Sequence, residues 1–128
     1  MSLIRRAILG GSAAVILAGA AAVAAEPEAL YGLIGKITAK PGGRDALAKI
    51  LSEGVAGTPG CLSYVVADDP AHADLIWITE VWESKAAHDA ALSRPKVREA
   101  IAKGRPLIAS LETVAETHPV GGTGQGAR

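Results

Sequence analysis

An α+β fold, with one four-stranded antiparallel sheet carrying helices on a single face, is predicted by three observations. Four separate stretches read as strands, the first by alternation and the next two by β-branched enrichment, apolar residues recur at helical spacing in between, and the two kinds of element follow one another in the order β-α-β-β-α-β.

The elements can be taken in order. Tyr31 to Ala39 alternates and runs into Lys40-Pro41-Gly42-Gly43, a strand ending in a turn. Leu47, Ile50, Leu51, Gly54 and Val55 then fall at i, i+3, i+4, i+7 and i+8, one apolar stripe on a helix from Arg44 to Ala56 that Thr58-Pro59-Gly60 stops. Cys61 to Ala67 and Leu75 to Glu83 are the next two strands, enriched in β-branched residues, with Asp68 to Asp74 as a solvated hairpin loop. Ser84 is placed to cap a helix from Lys85 to Leu92. Pro95 opens a further short helix in which Val97, Ala100, Ile101 and Gly104 share a face, and Gly104 with Pro106 ends it. Leu107 to Thr117 is the last strand. This is a ferredoxin-like, split βαβ arrangement. Helices on one face leave the other uncovered, yet the strands carry apolar residues on both: Leu62, Tyr64 and Val66 against Val65 and Ala67, and Ile76, Ile78 and Trp82 against Leu75, Trp77 and Val81. A second subunit laid sheet to sheet is the simplest cover, which predicts a homodimer.

Residues 1–25 stand apart. Arg5 and Arg6 precede an uncharged Ala/Gly/Leu-rich run from Ala7 to Ala25, the layout of a signal peptide. Cleavage after Ala24 or Ala25 would leave a domain over 26–118 and a Gly-rich flexible tail over 119–128, in the periplasm or secreted. The paired arginines fit a Sec or a Tat route. A retained membrane anchor is the competing reading, but Ala and Gly supply little transfer energy, so no stable anchor is expected after cleavage. Without Arg5 and Arg6 the 13 basic residues become 11 against 13 acidic ones, about −2, which argues against nucleic-acid binding. Cys61 is the only cysteine, so no intrachain disulfide exists, and a buried inert thiol is its expected state. His72, His88 and His118 lack metal-ligand spacing, and no phosphate-cradling loop, hydrolase triad or nucleophile elbow is present.

Gly60-Cys61-Leu62-Ser63-Tyr64, then Trp77 through Lys85, then Ala87-His88-Asp89-Ala90, together with Pro41-Gly42 and the segment Ala102 to Ala109, resemble the antibiotic biosynthesis monooxygenase family, including its quinol monooxygenase-like members. The resemblance covers roughly Tyr31 to Val114. It implies a dimeric α/β barrel with a ligand pocket between sheet and helices in each subunit, and oxygenation of electron-rich phenols without flavin, haem or metal, so no cofactor is expected. The chain departs from the family pattern at Ala91, where a histidine is common, and at Thr58, where an acidic residue is common. Haem degradation is disfavoured, because the chain has no asparagine and carries Ile101 where haem-degrading relatives place a histidine.

Within that frame five residues are candidates. Trp82 and Glu80 share a face of the third strand, Trp82 as a stacking wall and Glu80 as a polar group near the ligand. His88 is the candidate base, since an ordinary imidazole suits proton transfer at neutral pH. Tyr64 could hydrogen-bond a substrate oxygen, with Tyr31 the weaker of the two tyrosines, and Arg105 could reach an anionic group. As plain structure, Trp82 and Tyr64 would be core, Glu80 would pair with a buried hydroxyl or a charge, His88 would sit on a helix face, and Arg105 would be solvated. The expected function is an exported, cofactor-independent monooxygenase that combines a small quinol or phenol with dioxygen. The alternative is a non-catalytic dimer that binds a small aromatic or apolar metabolite in the same pocket.

Overall fold

The computed structural model describes residues 28–124. The expected signal peptide and the last four residues of the expected tail lie outside them. Among the described residues no helix is long and apolar enough to cross a membrane.

Strands β1 (Tyr31–Ala39), β2 (Cys61–Asp68), β3 (Leu75–Trp82) and β4 (Ile108–Thr117) form one sheet in the order β2-β3-β1-β4, every neighbouring pair antiparallel. Helices α1 (Arg44–Val55), α2 (Lys85–Ala91) and α3 (Pro95–Gly104) complete the ferredoxin-like fold. The element ends fall within a residue or so of those the sequence predicts. The last strand differs for a visible reason: Pro106 holds Arg105–Leu107 in a 3-10 turn, so β4 starts at Ile108.

The core shows which strand face meets the helices. Ile37, Ile76 and Ile78 are buried with Leu47 of α1, and Tyr64, Val66, Leu51 and Leu107 pack around them. Gly54 lets α1 and α3 approach, because a Cβ there would collide with the Cβ of Ala100. At the other end Gly60 has φ +83°, and a Cβ on it would stand 2.7 Å from the Cβ of Ala87, so this glycine both turns the chain into β2 and lets α2 sit down on the sheet. Ser84 caps α2 as expected, its Oγ accepting from the Ala87 N–H at 3.0 Å.

The opposite face is mixed. Val65 is half exposed, whereas Trp77 is partly covered, with the Lys36 Nζ 5.7 Å from its ring centroid. The hairpin loop differs from the solvated loop that the sequence predicts, because the Asp69 side chain folds inward. Its carboxylate accepts from Trp77 Nε1 at 2.8 Å and from the backbone N–H groups of Ala71 and His72 at 2.8 and 3.1 Å. Arg44 clamps the same loop by donating to the carbonyls of Asp69 and His72.

Candidate active site

Antiparallel pairing sets Leu33 opposite Glu80 and Tyr64 opposite Glu80 on its other side, so the β3 carboxylate lies mid-sheet on the helix-facing side. Two residues on, Trp82 shares that face and is 3% exposed. The Ser84 cap fixes the start of α2, and His88, whose N–H bonds the Ser84 carbonyl, is thereby aimed back over Glu80 and Trp82.

Trp82 Nε1 donates to Glu80 Oε1 at 2.7 Å, and His88 Nε2 stands 3.7 Å from the same oxygen. The Trp82 ring meets the imidazole edge-on at 5.5 Å, and the Tyr31 ring lies on another side of it at 5.3 Å. Asp89 Oδ1 is 2.9 Å from His88 Nδ1, so the ring presents an N–H there and turns Nε2 toward Glu80. Lys85 anchors the other Asp89 oxygen at 2.8 Å. The side chains of Glu80 and His88 are only 14% and 17% exposed.

Burial raises the Glu80 carboxyl above its ordinary pKa, opposed by the Trp82 hydrogen bond and by His88. The Tyr64 phenol is raised too, first by burial and then by the nearby Glu80 charge. Tyr31 is pushed up to about 12 by desolvation and by its hydrogen bond to Glu116. Both tyrosines therefore stay protonated; the Tyr31 proton is given to Glu116, which leaves Tyr64, on the cavity wall, as the one that can donate to a ligand oxygen.

Tyr64, Glu80, Trp82 and His88 line two adjoining pockets, an inner and an outer limb, that share a wall. An inner limb of about 140 Å³ lies between Trp82, Tyr64, Val97 and Ile101. An outer limb of about 310 Å³ runs between β1, β4 and the edge of α2. Leu51, Tyr64, Glu80, His88 and Leu92 border both, so the carboxylate and the imidazole stand at the junction. Of the five candidates, Trp82, Glu80, His88 and Tyr64 are brought together. Arg105 is not: it lies exposed on the 3-10 turn, and no Lys or Arg lines either limb. Among the described residues no three His, Cys, Asp or Glu side chains gather as a metal site.

Residues 30–103 match the family model described as antibiotic biosynthesis monooxygenase. The chain belongs to the antibiotic biosynthesis monooxygenase family. The fold agrees with that of a candidate antibiotic biosynthesis monooxygenase from Chloroflexus aurantiacus J-10-fl, 63% identical, with a TM-score of 0.73 over 76% of this chain and 99% of that one. PA3566 from Pseudomonas aeruginosa shares the fold at 23% identity and a TM-score of 0.65, over 76% of this chain and all of that one. A Caulobacter crescentus CB15 structure, also a candidate member of this monooxygenase family, does so at 17% identity and a TM-score of 0.66, over 74% and 93%. Comparison with curated proteins gave no match. The chain is thus a monooxygenase-like enzyme of this family.

Sequence reasoning missed Asp89 and undervalued Tyr31. Asp89 is adjacent to the candidate base, which is the one signal that could have found it. Tyr31 reaches His88 only because β1 lies between β3 and β4, a property of sheet order that no local motif carries.

Proposed function

We propose that the cavity is the active site of a cofactor-independent monooxygenase for a neutral quinol or related phenol. The observation that carries this reading is the junction of the two limbs, where a desolvated carboxylate and an imidazole stand 3.7 Å apart beside a buried tryptophan. An inner limb of about 140 Å³ matches a single aromatic ring, since a cavity of roughly 150 Å³ accepts benzene. With Glu80 present and no cation lining either limb, an uncharged substrate is favoured over a carboxylated or phosphorylated one.

His88 Nε2 takes the phenolic proton, and Glu80 stabilises the imidazolium that forms. The phenolate gives one electron to dioxygen, and the resulting superoxide joins the ring radical at the ortho carbon. Loss of the C–H proton, with cleavage of the O–O bond, releases hydroxide, which takes a proton and leaves as water. For a hydroquinone the balance is quinol plus dioxygen giving hydroxyquinone plus water, a four-electron oxidation of the ring. The protein orients the ring on Trp82, favours the anion and restricts water.

Oxygen uptake by metal-stripped protein with hydroquinone tests the reading. A rate above buffer that His88→Ala reduces and whose pH profile it flattens supports it. Ring binding without uptake for any quinol or phenol would replace it with the non-catalytic binding protein.

Two further parts of the proposal rest on sequence and family. Members of the family are commonly dimeric. The half-exposed Val65 and Val114 support a sheet-to-sheet homodimer here, and light scattering that gave a monomer at micromolar concentration would remove it. Export rests on Arg5, Arg6 and the apolar run behind them; an intact N-terminus on the mature protein in mass spectrometry would refute it.

A further inference from the structure

We infer that the substrate is a hydroxyarene carrying an apolar chain of several carbons, whose ring fills the inner limb and whose chain occupies the outer one. The inference rests on the cavity being the substrate site and goes beyond it, because a bare quinol would leave the larger limb empty.

Three observations support it. The inner limb, about 140 Å³, is used up by one ring, and a second limb of about 310 Å³ adjoins it across Glu80 and His88, which border both. The outer limb is walled mainly by carbon: Leu33, Ile37 and Ile78 form its floor, Leu51 and Leu92 one side, and Leu111 the other. Beyond the shared wall of Tyr64, Glu80 and His88, its polar members are Glu112 and Thr113 on β4, and no Lys or Arg lines it, so a phosphate or carboxylate at the far end of a chain has no cationic partner there. Finally, exposed large apolar side chains are concentrated at this cavity. Leu111 is 66% exposed, Leu92 50% and Ile101 37%, and these three of the six such residues described all line one limb or the other. Apolar surface grouped around a cavity mouth marks a binding surface, whereas scattered single leucines do not.

The topology explains why the limb exists. β4 is an edge strand that pairs only with β1 and packs mainly against it. The helix-facing side of β4 is therefore left open beside α2, whose C-cap residue is Leu92. A chain lying there would cover Leu111 and Leu92 while its ring stays beside His88.

The test is calorimetric titration under argon, which prevents turnover, with hydroquinone and its ethyl, butyl and hexyl derivatives. Affinity should rise about twofold or more per methylene, on the order of tenfold from ethyl to hexyl, because each methylene leaves water for an apolar wall. Leu92→Ser with Leu111→Ser, both at exposed positions and checked for fold by circular dichroism, should cut the ethyl-to-hexyl gain to less than about threefold. Affinity that is flat or falls with chain length in the unaltered protein overturns the inference. So does a gain that survives in the double variant, since the chain would then be binding elsewhere. Oxygen uptake reports separately on catalysis: a chain-length gain without uptake keeps this inference and removes the monooxygenase, and uptake without the gain does the reverse.

Discussion

β3 carries two tryptophans, one on each face, and each hands its indole N–H to a carboxylate with a histidine nearby. Trp77 donates to Asp69 beside His72, and Trp82 donates to Glu80 beside His88. The parts are the same and the consequences opposite. Asp69 also accepts two backbone N–H groups and the His72 ring, and these bonds, Trp77's first among them, hold its carboxyl down to about 2. Glu80 has one strong donor and a cavity, and burial holds its carboxyl up. A saturated carboxylate organises a loop, whereas an undersaturated one bordering a cavity is available to a ligand. The trio of residue types is therefore no signature by itself; what distinguishes the two is how many donors the backbone supplies.

The largest effect expected from breaking this contrast is on catalysis. Glu80→Gln keeps an acceptor for Trp82 but removes the charge beside the imidazole, and kcat/KM for the quinol should fall about a hundredfold. Stability should move the other way. Because the folded protein holds the Glu80 proton more tightly than the unfolded chain does, the carboxyl's contribution is present below the unfolded pKa and is lost as pH rises through the folded one. Glu80→Gln should therefore show a Tm gain of a few degrees that appears above roughly pH 4.3. A variant less stable at pH 7 and equally active would place Glu80 with Asp69 as a structural carboxylate.

Next in size is Trp82. At 3% exposure its replacement by Ala would remove core as well as site, at a cost of about 3 to 5 kcal/mol, so Phe is the informative change. Trp82→Phe keeps a ring and deletes the N–H that lowers the Glu80 pKa. About a tenfold loss in kcat/KM is expected, with the acidic limb of the pH profile moved to higher pH. Trp77→Phe should leave both unchanged. Equal effects from the two substitutions would erase the distinction between the clusters.

Asp69 supplies the complementary measurement. Asp69→Ala should lower Tm by about 5 °C at pH 7 and leave oxygen uptake intact. The sign with pH is fixed by the depressed pKa: the stabilisation is full above roughly pH 4 and is lost as pH falls through about 2, so the Tm gap between the two proteins should close over that interval. A gap that is independent of pH would mean that the carboxylate's charge is irrelevant to the loop.

The contrast also shows what could be read without coordinates. Element order and nearly every boundary were legible, because the period-two and helical patterns are local and Pro41-Gly42, Pro59-Gly60 and Pro95 punctuate them. Glu80 and Trp82 were legible as a pair because alternation puts i and i+2 on one face. Their union with His88 was not, since it depends on the Ser84 cap and on Gly60 admitting α2 to the sheet. Arg105 looked able to reach the pocket from its place in the chain, but Pro106 turns that segment away into solvent-exposed 3-10 geometry. Asp69 was read as solvated for a related reason: nothing local tells that a loop carboxylate will fold under its own backbone to meet a tryptophan eight residues on.

The smallest expected effect compares the two histidines. His72 lies against Asp69 at 3.1 Å but its side chain is 71% exposed, so water can replace that contact. His88 is 17% exposed, and Asp89 is the one acceptor found for its Nδ1. Asp89→Ala should therefore loosen the ring and mix its tautomers, visible as a change in the imidazole nitrogen shifts in NMR, and lower kcat by about threefold with KM little altered. Asp89→Asn, whose carbonyl can still accept from Nδ1, should restore most of the rate. Lys85→Met removes the partner that steadies Asp89 but leaves the acceptor itself, so the Nδ1–H tautomer should persist. The effect is modest because the Asp89 side chain is half exposed and its bond to Nδ1 competes with water. Nitrogen shifts unchanged in Asp89→Ala would mean that packing between Trp82 and Tyr31 alone orients the imidazole, and His88 would then owe its direction to the sheet and not to its own helix.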